Sequence, residues 1–128
     1  MIVARALALA GIALASVTPG VSAGCGVCLE DKVASAYDHA VVERARARGH
    51  VMVFVEVSGN AKGEELVRDV RRKVLELPGI DRGSVRVSHS PATVSFALAP
   101  QVRSPAEVVA TLEKSARGRF RIELLKTI

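Results

Sequence analysis

This sequence has little of what marks a catalyst. No serine, histidine and acid stand in an order with motif context, and no glycine-rich loop has the spacing that cradles phosphate. We therefore expect a non-enzyme and assign no catalytic residue. Cysteine is scarce: Cys25 and Cys28 are the only two, so at most one disulfide can form within the chain. Histidine does not follow the pair, since Leu29 stands where a c-type haem site needs it. There is no low-complexity stretch. Past residue 17 no apolar run approaches the about 20 residues that a membrane span needs.

What is present begins with the first 23 residues. Arg5 precedes an apolar run over residues 6–15, Thr18-Pro19-Gly20 breaks the run, and Val21-Ser22-Ala23 is a small-residue cleavage pattern. This is the layout of a secretory signal peptide. Cleavage after Ala23 would leave 105 residues, enough for one domain, with the formal charge lowered from +5 to +4. The expected location is periplasmic or secreted. Lipidation of Cys25 is an alternative, although Ser22 stands where a lipoprotein signal usually has leucine. Export removes nucleic acid as a partner and leaves an acidic protein or an anionic surface. No integral membrane span is expected after cleavage. The destination is oxidising, so a free thiol pair there needs a purpose.

Periodicity divides the remainder into residues 24–49, a CxxC arm with an N-terminal helix, and residues 50–128, a domain. Residues 29–48 read as one helix with a Val33/Tyr37/Val41 stripe, acids Glu30 and Asp31 in the first turn, and Arg44, Arg46 and Arg48 at the end. Alternation predicts strands over 51–57, 84–88, 93–98 and 119–124. Helical spacing and stop signals predict helices over 64–77 and from Ser104-Pro105-Ala106-Glu107 to Gly118, the latter opened by a capping serine and an N1 proline. The order from residue 51 is βαββαβ. The expected fold is α+β, a ferredoxin-like sandwich with an additional N-terminal helix after a signal peptide. One sheet face is polar (Arg86, Ser88, Thr93, Ser95, Arg119, Arg121, Glu123) except for Met52 and Phe54, where the N-terminal helix is expected to dock.

Val57-Ser58-Gly59, Leu66, Leu77-Pro78-Gly79-Ile80, Ser84-Val85-Arg86-Val87, Ala92-Thr93-Val94-Ser95-Phe96 and Ser104-Pro105-Ala106-Glu107-Val108-Val109 follow one another in order. Together, over residues 50–126, they resemble a heavy-metal-associated domain, the family of copper chaperones, the periplasmic mercury-binding protein and the N-terminal modules of metal-pumping ATPases. The resemblance implies the ferredoxin-like fold and soft-metal binding. The family's GMxCxxC loop departs here: Gly59 matches, Asn60 replaces methionine, and Lys62 and Glu65 stand at the cysteine positions. An ammonium cannot ligate, and one carboxylate is a poor soft-metal ligand.

The thiol pair has instead moved outside the domain. Three uses remain open for it. Two thiolates at CxxC spacing can converge on one soft ion, copper(I) first, with zinc or mercury as alternatives; the same spacing serves thiol–disulfide exchange; or the pair forms a plain local disulfide. The leading expectation is an exported soft-metal binding or metal-transfer protein with Cys25 and Cys28 as metal ligands, handing its ion to an acidic metal-transport protein. A periplasmic thiol–disulfide redox protein and a non-metal interaction module of the same fold are the alternatives. A single helix over 29–48, about 30 Å long, would return antiparallel to the first strand and set the cysteines beside the 59–63 loop. His50 and His89 are expected together at the other end of the sheet. The Arg68/Arg71/Arg72/Lys73 cluster is expected to be a solvated helix face, with docking to an acidic transporter domain as the alternative.

Overall fold

β-Branched residues fill the strands and helical stripes face them. The computed structural model describes residues 28–128. The expected signal segment, and Cys25, lie outside the described residues. The elements are α1 (Leu29–Ser35), α2 (His39–Ala47), β1 (Val51–Gly59), α3 (Gly63–Glu76), β2 (Arg86–His89), β3 (Ala92–Leu98), α4 (Pro105–Ala116) and β4 (Phe120–Thr127). The strands form one antiparallel sheet in the order β2-β3-β1-β4. The fold is α+β, and from β1 onward its βαββαβ order is compatible with a ferredoxin-like fold. Among the described residues no helix is long and apolar enough to cross a membrane.

Side chains alternate across a strand, so β1 serves two cores at once. Val53, Val55 and Val57 point into the larger core, with Val94, Phe96 and Leu98 of β3 and the apolar stripes of α3 and α4. Met52 and Phe54 point the other way, into a second core closed by Val33 of α1 and Val41, Val42 and Ala45 of α2. The sheet is thus covered on both faces. Helix termini follow their sequence signals. The Ser104 hydroxyl accepts from the Glu107 amide at 3.2 Å with Pro105 in the first turn, and Gly79 at φ +87° follows the end of α3.

The structure departs from the expected single helix over residues 29–48. α1 ends at Ser35, Ala36 leaves the helical region, and Asp38 adopts an extended conformation as the N-cap of α2. The physical reason is twofold. The Asp38 carboxylate accepts from the Ala40 and Val41 amides at 3.0 and 3.3 Å, opening a new helix. The Ser95 hydroxyl, fully buried on β3, donates to the Ala36 carbonyl at 2.6 Å, satisfying a group that the break frees.

β4 departs from strict alternation as well. Phe120 and Ile122 enter the larger core, but the register with β1 slips between Phe54 and Val55, so that Leu124 faces Val55 and Lys126 faces Phe54. Leu125 is the extra residue of this bulge, and it packs against the second core. Leu124 remains exposed at the sheet edge.

Tyr37 stacks on Phe54 with ring centroids 6.4 Å apart and planes 10° from parallel, yet it is 44% exposed where Phe54 is 1% exposed. Phe54→Ala should therefore cost about 3–5 kcal/mol of stability. Tyr37→Ala should cost only about 0.5–1.5 kcal/mol, the worth of the aromatic pair. Urea unfolding of the two variants measures the difference. Equal losses would show that Tyr37 anchors the second core as much as Phe54 does.

Candidate functional site: the Cys28 end of α1

Cys28 is the N-cap of α1, in extended conformation, and its carbonyl accepts from the Lys32 amide at 3.0 Å. The thiol is exposed and free, and Sγ donates to Asp31 Oδ2 at 3.1 Å. One turn further, Lys32 Nζ meets Glu56 Oε2 of β1 at 2.7 Å. The hydrogen-bonded Glu56 carboxylate holds the Lys32 ammonium above its ordinary 10.5, opposed by burial and reinforced by the charges of Glu56, Glu123 and Cys28. What this pair contributes to stability is therefore complete below pH 10.5 and is lost as pH rises through the raised value.

The Lys32–Glu56 pair is one of four ties that fix α1 on the sheet. Ser35 Oγ and Thr93 Oγ1 lie 2.6 Å apart, Ser95 binds the Ala36 carbonyl, and Asp38 Oδ2 accepts from Arg86 Nε at 3.0 Å. These contacts move from β1 to β3 to β2 as the chain advances, while Leu29, Glu30, Val33, Ala34 and Tyr37 line a groove with Lys126 and Ile128 beside β4. α1 therefore crosses the sheet from the β4 side toward β2, and it does not return along β1. α2 then runs back over β3 and β1, ending where Arg48 meets Asp81 at 3.0 Å.

This path changes the neighbourhood expected for the cysteines. Cys28 stands on the face covered by α1 and α2, whereas Lys62 and Glu65 begin α3 on the opposite face, both exposed. Among the described residues no hydrogen bond or ion pair joins Cys28 to the 59–63 loop; the closest tie is Lys32 to Glu56, three residues before Gly59. The histidines also require correction. His89 closes the β2–β3 hairpin at the end of the sheet where β1 finishes, because Ala92 follows the register in which Thr93 faces Glu56. Its carbonyl lies so close to Gly63 that a side chain there would collide with it. His50 precedes β1 at the other end, so about 20 Å of strand separates the two. The antiparallel hairpin reverses the chain, which puts the β2–β3 turn beside the end of β1 rather than its start.

Cys25 lies outside the described residues, and among the described residues no three histidine, cysteine or acidic side chains gather to hold a metal ion. Sequence reasoning named Cys28 but missed Asp31, Lys32 and Glu56 as its surroundings. A signal existed: Glu56 is the one charge in Val51-Met52-Val53-Phe54-Val55-Glu56-Val57 and shares a face with Met52 and Phe54, so a buried-side cation partner was required. Comparison with family models and with curated proteins finds no match to this chain.

Asp38 sets where α1 ends and so where Cys28 starts. The Arg86 hydrogen bond first, then the Val41 amide, hold its carboxyl below the ordinary 3.8. Its contribution is present above the unfolded value and disappears as pH falls through the lowered one. Asp38→Asn should thus lower the urea midpoint at pH 7 and converge with the parent well below pH 3.8. A difference that persists unchanged in acid would remove the ionised pair as its cause.

Proposed function

We propose that this chain is an exported soft-metal binding or metal-transfer protein, with Cys25 and Cys28 as the ligands of a copper(I) cargo. The reading takes residues 1–23 as a signal peptide and residues 50–128 as a ferredoxin-like domain of heavy-metal-associated type. The observation that carries it is the Cys28 thiol: exposed, not packed as a core residue, and standing on a helix tied to the sheet by Lys32–Glu56. A free cysteine with no packing role is a chemical group rather than a filler.

Two thiolates three residues apart can bind copper(I) nearly linearly, and soft sulfur favours this ion over hard cations. Binding displaces the thiol protons, and the Asp31 carboxylate that already accepts the Cys28 S–H is the nearest acceptor. A two-ligand site leaves the ion open to a third thiolate from a partner, which is the chemistry of hand-over by ligand exchange. Lys62 and Glu65 take no part in this reading, since they stand on the other face of the sheet. The same exposed thiol supports a second reading, a thiol–disulfide protein, in which Cys28 alternates between free thiol and a bond to Cys25.

The reduced protein should bind about one copper(I) per chain, and Cys25→Ser or Cys28→Ser should abolish binding, by competition with a copper(I) chelator under anaerobic conditions. Lys62→Ala with Glu65→Ala should leave affinity within about tenfold, roughly 1.4 kcal/mol. Undiminished binding in the double serine variant would sink Cys25 and Cys28 as the ligands and point to His50 or His89. Failure to bind together with a measurable disulfide potential would put the redox reading in its place.

A further inference from the structure

Far from the thiol, on the face covered by α3 and α4, three elements bring cations to one cleft. Lys73 comes from the last turn of α3, Lys114 from α4, and Arg117 and Arg119 from the turn into β4; Thr111 and Ser115 of α4 complete the lining. Thr111, Lys114 and Ser115 are spaced i, i+3 and i+4, so they share one helix face. No carboxylate lines the cleft. Of the acids close by in sequence, Glu113 Oε1 accepts from the Ile122 amide at 3.1 Å, Asp69, one turn before Lys73, pairs with Arg72 at 3.2 Å, and Glu76, one turn after it, lines a separate cleft with Arg68, Arg71, Arg72 and Arg82.

Part of this charge has a local use. Lys73 Nζ donates to the Ser115 carbonyl at 3.3 Å and Arg119 Nε to the Ala116 carbonyl at 3.4 Å, both at the negative end of α4. A helix C-terminus carries only about half a negative charge, and four cations exceed it. Among the described residues none of the four is in an ion pair. Lys73 and Arg119 each keep further N–H donors after these bonds. Arg117 stands at φ 51°, ψ 41°, a left-handed conformation that glycine or asparagine adopts without strain. Arg117 is the left-handed residue that ends α4, so a cation lining the cleft stands where helices most often use glycine.

We propose that this cleft binds a phosphate-bearing anion, independently of the metal reading. The chemistry fits: guanidinium forks bind phosphate oxygens in pairs, ammonium groups add point charge, and the Thr111 hydroxyl supplies a neutral donor. A tetrahedral phosphoryl group turns oxygens toward several of the cations at once, where a planar carboxylate offers only two. The source is either free phosphate or the headgroup of an anionic phospholipid.

The test is an amide-resolved NMR titration of the full chain at low ionic strength with inorganic phosphate, paired with co-sedimentation on phosphatidylglycerol and phosphatidylcholine vesicles. Saturable shifts should be confined to Lys73 and residues 111–119. Lys114→Glu with Arg117→Glu should weaken binding about tenfold or more. Arg68→Glu with Arg71→Glu, the same charge change made on α3 outside the cleft, should change it little. Arg117→Gly, which suits the backbone and removes the cation, should also weaken binding, so a folding defect in the double variant does not decide the matter. Response to phosphate alone assigns the free anion. Retention on phosphatidylglycerol but not phosphatidylcholine vesicles, lost in Arg117→Gly, assigns the headgroup. Response to neither, or equal losses in the two double variants, overturns the proposal.

Discussion

Everything in this structure depends on β1 being buried from both sides. Val53 and Val55 are fully inaccessible on one face, and Met52 and Phe54 almost so on the other. A central strand with two apolar faces cannot be left half open, because each large side chain returned to water would forfeit about 1.5–3 kcal/mol. The βαββαβ unit supplies helices for only one face. α1 and α2 therefore belong to the fold as cover for the second, and the Cys28 end of the chain is held in place as a consequence.

How α1 and α2 lie is decided by the polar atoms among those apolar ones. Ser95 and Thr93 are buried on the second face of β3, and a buried hydroxyl needs a partner. They find it in the Ala36 carbonyl and the Ser35 hydroxyl, while Arg86 takes the carboxylate of Asp38. A continuous helix would offer the sheet no free carbonyl at residue 36. The break in the helix and the hydroxyls on the sheet are two sides of one arrangement, and it turns α1 across the strands.

The two faces also differ in charge. Near Cys28 the charges are mixed, with Lys32 among the acids Asp31, Glu56 and Glu123. On the outer layer, Lys73, Lys114, Arg117 and Arg119 stand together without an acid in their cleft. A thiol beside mixed charges and a cation cluster on the opposite side of the sheet can act without interfering, since screening damps fields beyond about 10 Å at ordinary ionic strength.

Much of this was legible in the order of residues. Alternation placed all four strands, and Ser104-Pro105 and Pro78-Gly79 marked helix ends, because these signals act within a few residues of chain. The Met52/Phe54 patch and the Val33/Tyr37/Val41 stripe showed that two surfaces needed cover, and hydrophobic burial brought them together, with Val33 and Val41 buried and Tyr37 left half exposed over Phe54. The sequence also held Asp38 as a capping residue and Glu56 as a lone acid in an apolar strand, but the meaning of each depends on a partner tens of residues away: Arg86 for one, Lys32 for the other. The helix break, the crossing direction of α1, the bulge at Leu125 and the meeting of His89 with Gly63 were settled only by the assembled sheet. Local patterns specify elements because their energetics are local, whereas direction and neighbourhood follow from pairing register and from which buried polar atoms must be satisfied, and those exist only once the strands are side by side.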